Sequence, residues 1–422
     1  MRVLWLCNII LPSIAPVLNL KASNKEGWLS GICDAVKVNH DFELGVCFPV
    51  PYEMDGFADR IDGISYYGFY EDTTHPEVYD ESLEKRLSKI ADNFFPDVIH
   101  IFGTEYPHTL AMCRSMKNNP EKLLIGIQGI LDIYKNHFFD GVPDYVVNRK
   151  TLRDILRKDD LKIQQNKFAL RAVNEVEAVE ITGNVTGRTP FDLEFCAKVN
   201  PDAKYHFMNE TLRGEFYDGR WDISKCEKHS VFLSQGNYPI KGLHVFLQAF
   251  ARILEKYPDA KAYVAGDKIT CMETLKDKIK IGSYGKYIRE LLDKYKLEDS
   301  VIFTGNITAS EIKERLLAAN LFVCPSTIEN SPNSLGEAML LGVPCIASRV
   351  GGISGIFKEN SDGLMFDNTD SDGLYECIDR LFADEGLQLE FSEKASMHAH
   401  ITHNPEINYK RLLEIYREIK GN

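Results

Sequence analysis

Two carboxylates, Glu329 and Glu337, stand with seven residues between them in Glu329-Asn-Ser-Pro-Asn-Ser-Leu-Gly-Glu337, a stretch that reads as a loop entering a helix. Ser331 suits the N-cap, because its hydroxyl can accept from a free backbone N–H, and Pro332 suits the first helical position. Leu335, Ala338 and Met339 recur at i, i+3 and i+4 and mark one buried face. Gly342 suits a left-handed C-terminal residue, and Pro344 stops the helix. The N–H groups around Asn333, Ser334 and Leu335 would point at an anion such as a diphosphate. A carboxylate repels that anion, so Glu329 and Glu337 are expected to serve hydroxyl groups through charge-assisted hydrogen bonds. The ligand read from this junction is anionic at one end and rich in hydroxyls at the other. The plainer alternative is a capped surface helix carrying two solvated acids.

Other groups with chemistry to offer sit where short apolar runs end. Ser234-Gln-Gly-Asn-Tyr-Pro-Ile-Lys241-Gly242 precedes a helical pattern through Val245, Phe246, Ala249, Phe250 and Ile253, and Lys241 could set a cation beside a departing diphosphate. Gly266 with Asp267, and Gly305 with Asn306, close two further runs, and parallel sheets bind ligands at such carboxyl ends. His100, Glu105 and His108 surround the turn at Gly103. Arg188, in a Gly/Thr-rich turn, could fork onto a phosphate, or pair with Asp192 as a structural contact. Glu26-Gly27-Trp28 opens a helical pattern through Leu29, Ile32 and Val36.

The elements that must hold these groups alternate between short apolar runs and helical patterns, which means parallel sheets with crossover helices. Runs at Val3–Cys7, Val98–Phe102, Leu123–Ile127 and Ala178–Ile181 are expected as strands of the first half. Val231–Ser234, Ala262–Ala265, Val301–Thr304, Leu321–Cys324 and Cys345–Ser348 are expected in the second. The apolar N-terminal run, interrupted by Asn8 and Pro12, reads as a buried first strand rather than a signal peptide. With 422 residues the chain is too long for one ordinary core. Two domains are expected, 1–215 and 228–403, with residues 404–422 forming a last helix that returns to the first. A net charge of −13 argues against nucleic acid as a partner. Ten scattered cysteines without CxxC or Cys/His ligand spacing read as reduced thiols of a cytoplasmic protein, with no metal site. No G-x-G-x-x-G follows the first strand and no Walker-type loop is present, which argues against a dinucleotide oxidoreductase or a nucleoside triphosphatase.

Residues 149–167 stand out in this acidic chain, with seven Lys or Arg against three Asp. Leu152, Ile155 and Leu156 form an apolar stripe among them. Such a stretch is either a solvated face or a contact with an anionic membrane surface.

Residues 329–352, from the carboxylate pair through Gly342-Val-Pro344 to the Val350-Gly351-Gly352 turn, resemble the signature of the retaining glycosyltransferases of family 4. The segment around Lys241 is similar to the family's G-R-x4-K-G, except that Gly236 stands where the family has Arg. The resemblance implies an α/β chain of the GT-B fold, two Rossmann-like domains with parallel sheets facing a central cleft. It also implies transfer of a hexose-type sugar from a nucleotide-sugar to a glycan or a lipid-linked polysaccharide precursor, with no metal or cofactor. In its terms Glu329 contacts the transferred sugar and Glu337 the ribose. Lys241 and the turn at Asn333, Ser334 and Leu335 hold the diphosphate, with Arg188 or Arg213 standing in for the missing Arg. Gly266, Asp267 and Gly305 face the nucleotide. Gln128 takes a strand end where many members carry His in the catalytic region, and Gly27, His100, Glu105 and His108 lie on the acceptor side. Two other readings accompany it: a non-catalytic GT-B-like subunit that binds a nucleotide-sugar, and a GT-B sugar-nucleotide epimerase.

Overall fold

A computed structural model describes residues 1–11, 14–20, 27–39, 41–270 and 274–421. The chain divides into two compact units, each discontinuous in sequence. The first comprises Met1–Lys135, Lys167–Leu212 and His403–Asn422, and the second Asn136–Asn166 and Arg213–Thr402. The expectation drawn from the sequence kept 136–166 with the first domain.

The first unit is built on an eight-stranded sheet. Its strands are β1 (Arg2–Leu6), β2 (Glu43–Val50), β3 (Ala58–Ile61), β4 (Ile64–Tyr70), β5 (Val98–Phe102), β6 (Leu123–Gly126), β7 (Asn184–Gly187) and β8 (Lys204–Phe207), in the order β3-β4-β2-β1-β5-β6-β7-β8. All neighbours pair in parallel except β3 with β4. Because side chains alternate across a strand, Val3 and Trp5 enter one core layer and Leu4 and Leu6 the other. The final helix, Pro405–Gly421, packs Tyr409, Leu412, Leu413, Ile415, Tyr416 and Ile419 into the Trp5 layer. The Trp5 indole donates to the Tyr416 hydroxyl at 2.9 Å, which ties the helix to the central strand.

One strand expectation is corrected here. Ala178–Ile181 is the last turn of a 21-residue helix, Leu161–Ile181, and the strand follows at Asn184–Gly187. Ala172, Glu175, Ala178 and Val179 are buried at helical spacing, so this apolar run was the inner face of a helix.

The second unit carries a six-stranded parallel sheet. Its strands are β9 (Glu227–Leu233), β10 (Lys261–Ala265), β11 (Val301–Gly305), β12 (Ala319–Cys324), β13 (Cys345–Ser348) and β14 (Gly363–Phe366), in the order β11-β10-β9-β12-β13-β14. These overlap the five runs expected in this half and add β14. The excursion 136–166 is built into this unit by buried Phe138 and by polar bonds. His244 Nε2 meets the Asp140 carbonyl at 3.0 Å, Asn368 donates to the Asp140 carboxylate at 2.9 Å, and Arg149 pairs with Glu290 at 2.9 Å.

Candidate active site

In the second unit the candidate residues gather at the carboxyl edge of the sheet. The loop leaving β12 is gripped on both sides by glycines. Gly242, with φ +68°, passes so close that a Cβ there would lie 1.8 Å from the Pro325 carbonyl oxygen. Gly351, with φ +49°, would put a Cβ 2.0 Å from the Glu329 carbonyl oxygen. Only a residue without a side chain fits either place. Hydrogen bonds complete the grip: Thr327 N–H to the Ile240 carbonyl at 2.7 Å, Gly352 N–H to the Glu329 carbonyl at 2.9 Å, and Ser348 Oγ to the Ser326 carbonyl at 2.5 Å.

This loop presents Glu329 to Lys241. Lys241 Nζ lies 2.5 Å from Glu329 Oε1, and Ser326 Oγ donates to the same oxygen at 3.0 Å. Burial works against the ammonium charge of Lys241, but the Glu329 carboxylate and then Tyr238 outweigh it, and the lysine is held well above its ordinary range. It therefore keeps its proton at any physiological pH. Where the family has Arg, the side chains of Leu243 and Val264 pack against Gly236. A Cβ on Gly236 would meet Leu243 Cδ2 at 2.8 Å and Val264 Cγ1 at 2.9 Å, so the core has closed over that position.

The helix Asn333–Leu341 carries the second carboxylate. Its N-cap is Pro332 and no side chain caps it, so the expected capping by Ser331 is not made. The first bond to the cap runs from Leu335 N–H to the Pro332 carbonyl at 3.0 Å, and the N–H groups of Asn333 and Ser334 precede it. Gly342 ends the helix in the left-handed conformation, as expected. Glu337 is buried, and both of its oxygens take a fork from Arg213, Nε to Oε1 and Nη2 to Oε2, each 2.6 Å. Burial raises the Glu337 carboxyl, and Arg213 pulls it back down without cancelling the effect. At the ends of β10 and β11, the Gly266 N–H meets the Gly305 carbonyl at 3.0 Å, and the Asn306 amide donates to Asp267 at 2.5 Å.

The remaining candidates belong to the first unit. Gly27 opens the helix Gly27–Asn39, while Glu26 lies outside the described residues. His108 is buried in a structural pair, with both its ring Nδ1 (2.7 Å) and its backbone N–H (3.0 Å) on Glu71. Glu105 accepts from the Gly129 N–H at 3.1 Å, and its Oε2 is buried without a hydrogen-bond partner. Arg188, expected at the phosphate, is buried against Glu210 with Nη1 2.6 Å from Oε1, and Gln128 donates to the same oxygen at 2.6 Å. The Asp192 side chain takes the Arg188 backbone N–H at 3.0 Å. Arg188 thus sits in a carboxylate–amide cluster of the first unit, apart in the chain from Lys241.

His100 reveals its tautomer. Trp5 can only donate to the Tyr416 hydroxyl, which leaves that hydroxyl proton for His100 Nδ1 at 2.7 Å. The ring proton of His100 is then on Nε2, and burial, which pushes the imidazole down to about 3, keeps it neutral. Nε2 has no hydrogen-bond partner, nor do Thr186 Oγ1 and Glu210 Oε2. All three residues line one cavity of about 10 Å³, the size of a single water.

Sequence reasoning missed Glu210, Glu71 and Glu175, and it offered Arg213 for the phosphate, whereas the structure places it on Glu337. The signal for Glu175 was its place on the buried stripe of the Leu161–Ile181 helix. It accepts from Thr104 Oγ1 at 2.5 Å and from the Asp132 N–H at 2.8 Å. Burial pushes its carboxyl up from an ordinary 4.5 to about 7 in spite of those bonds. The folded state therefore holds this proton more tightly than the unfolded one. Its contribution to stability is complete below about pH 4.5 and is lost as the pH rises to about 7. Glu175→Gln should flatten a slope worth on the order of 3 kcal/mol across that window, read from urea unfolding at several pH values. A wild-type profile equally flat would show that Glu175 does not titrate there.

Among the described residues, no group of three or more His, Cys, Asp or Glu could hold a metal ion. Residues 218–398 match the family model described as glycosyl transferases group 1. The chain is 30% identical over 387 residues to the putative glycosyltransferase YtcC of Bacillus subtilis, covering 88% of this chain and 90% of that protein. Among solved structures it resembles sucrose-phosphate synthase from Thermosynechococcus elongatus, with a TM-score of 0.73, 15% identity and 99% of each chain covered. It also resembles Anabaena HepE in complex with UDP and glucose, with a TM-score of 0.66, 17% identity and 98% and 99% of the two chains covered. Two units built on parallel sheets, with the polar groups of the second collected at strand ends, are those of a GT-B protein. The chain belongs to the glycosyl transferases group 1 family. It is a nucleotide-sugar-dependent glycosyltransferase.

Proposed function

We propose that the chain is a retaining transferase that moves a hexose-type sugar from a nucleoside-diphosphate donor to a glycan or a lipid-linked polysaccharide precursor. The observation that carries this reading is the Lys241–Glu329 pair, set in the same unit as the helix that bears Glu337. Charge develops on the diphosphate as the glycosidic bond breaks. Lys241 has three donors, so it can keep Glu329 and still reach a phosphate oxygen, beside the N–H groups of Asn333 and Ser334. Glu329 then accepts from hydroxyls of the sugar, and Glu337 from those of the ribose. With that neutralisation in place the reaction calls for no metal. Gln128, which cannot act as acid or base, is assigned hydrogen bonding only. The proton of the acceptor hydroxyl goes to the departing phosphate as the new bond forms on the face the phosphate leaves. The HepE complex with UDP and glucose supports a donor of this class. No helix among the described residues is long and apolar enough to cross a membrane, and the nine described cysteines are free thiols, which suits a cytoplasmic site of action.

The test is incubation of the purified chain with a panel of nucleoside-diphosphate sugars, with and without glycan acceptors. Nucleoside diphosphate release is followed, with the anomeric configuration of the product read by NMR. Release with retained configuration is expected. Tight binding without turnover would make the chain a non-catalytic subunit, and an isomerised sugar still bearing its nucleotide would make it an epimerase.

A further inference from the structure

The short helix Leu152–Arg157 is turned inside out. Leu152, Ile155 and Leu156 share one face at i, i+3 and i+4, and they are 52%, 59% and 69% exposed. The face pressed against the protein carries Asp154 instead, which is 2% exposed. The ordinary amphipathic arrangement is the reverse. The inversion is held by specific bonds. One Asp154 oxygen accepts from the Thr151 N–H at 3.0 Å, closing a capping box. The same oxygen takes the Ser283 N–H at 3.1 Å and the Ser283 hydroxyl at 2.5 Å, while Arg153 donates to the other at 3.2 Å. Nearby, Arg149 is fixed on Glu290 and Lys150 on Asp160. The local surplus of positive charge is thereby narrowed to Arg157, Lys158 and Lys162. All three are exposed, with no carboxylate partner among the described residues. Lys158 ends the helix in the left-handed conformation beside the apolar face.

We infer that this face docks on an anionic lipid bilayer. Three aliphatic side chains on one and a half turns are far too little for the core of a stable protein interface, which buries about 800 Å² on each partner. They are the right size for shallow insertion at the headgroup boundary, which needs an apolar face flanked by cations. The charge pattern favours the same partner. A chain of net charge −13 is repelled overall by an anionic surface, so a basic patch sets the orientation as well as the affinity. The membrane contact is peripheral and salt-sensitive. It rests on the surface of the second unit and not on the assignment of donor or acceptor.

The experiment is flotation of the full chain with vesicles of phosphatidylcholine alone or with about one-third phosphatidylglycerol, the anionic mixture giving a surface potential. Binding is expected only to the anionic vesicles and should fade at high salt. The double variant Arg157→Glu, Lys158→Glu should weaken it by at least roughly 25-fold, since each lysine or arginine near such a surface contributes about a fivefold factor. The triple variant Leu152→Ser, Ile155→Ser, Leu156→Ser should weaken it at low salt as well. Leu156→Trp should show a blue-shifted emission on the anionic vesicles. All these positions are exposed, and thermal unfolding confirms that the variants fold. Equal binding to neutral vesicles, or anionic binding untouched by both sets of variants, overturns the proposal. So does self-association of the wild type that the triple Ser variant abolishes, which would make a second copy the occupant. Donor turnover in vesicle-free buffer stays at the wild-type rate in every variant, so a failure here is separable from a failure of the transferase reading.

Discussion

Glu329→Gln should lower donor turnover by about 100- to 1,000-fold while leaving nucleoside diphosphate affinity within about threefold of wild type, an effect of the size seen when a group that stabilises a transition state is lost. Glu329 is paired with Lys241 at 2.5 Å. In the resting protein one carboxylate oxygen and one ammonium neutralise each other. Glutamine keeps the shape of the side chain and removes its charge. Sugar hydroxyls then lose a charged acceptor at the stage when positive charge grows on the sugar ring. The free nucleotide gains, because a negative group near the diphosphate is gone and Lys241 is released to serve the phosphate alone. A fall in kcat with flat or improved affinity in calorimetry is therefore the signature. An equal and large loss of nucleotide binding would mean that Glu329 holds the nucleotide and not the sugar.

The second large effect falls on Arg213. Arg213→Met leaves Glu337 buried without its fork, and breaking one side of a buried pair costs about 3–5 kcal/mol. The pH dependence gives the sign. Burial already raises the Glu337 carboxyl, and Arg213 is the group that lowers it. Without Arg213 the folded state holds the Glu337 proton still more tightly. The deficit should be smallest in acid, where the carboxyl is protonated in both states, and should widen as the pH rises. Denaturant unfolding at several pH values reads it. Adding Glu337→Gln to Arg213→Met should recover most of the stability but not the affinity for nucleoside diphosphate. Recovery of both would show that Glu337 does not touch the nucleotide.

These two experiments also mark what the sequence could and could not disclose. Glu329, Glu337, Lys241 and the Gly351 turn were legible because each lies in a strand–loop–helix segment whose local spacing carries the geometry. The partner of Arg213 was not, since Glu337 lies 124 positions away, and the sequence offered Arg213 for the phosphate instead. Glu210 was hidden for the same reason, and with it the ion pair of Arg188, while the nearer Asp192 takes the Arg188 backbone N–H. Strands of the second half were found easily, because fully buried parallel strands are continuous apolar runs. Ala178–Ile181 misled for a related reason: Ala178, Val179 and Ile181, interrupted only by Glu180, look alike on a short strand and on the inner side of a long helix. Ser331 misled at smaller scale, the helix beginning one residue later than its best capping side chain. The packing of Leu243 and Val264 against Gly236 was not visible either, because those side chains meet it only in three dimensions.

The passage of residues 136–166 into the second unit bears on how this family can be recombined. The chain changes unit after Lys135, Asn166, Leu212 and Thr402. A hybrid cut once near residue 215 would import a foreign loop against Ser283, His244 and Asn368, each of which bonds that excursion here. The exchangeable part is therefore not the N-terminal half but that half without its excursion. Exchange of the first unit would have to follow the four crossings, with residues 136–166 travelling alongside 213–402.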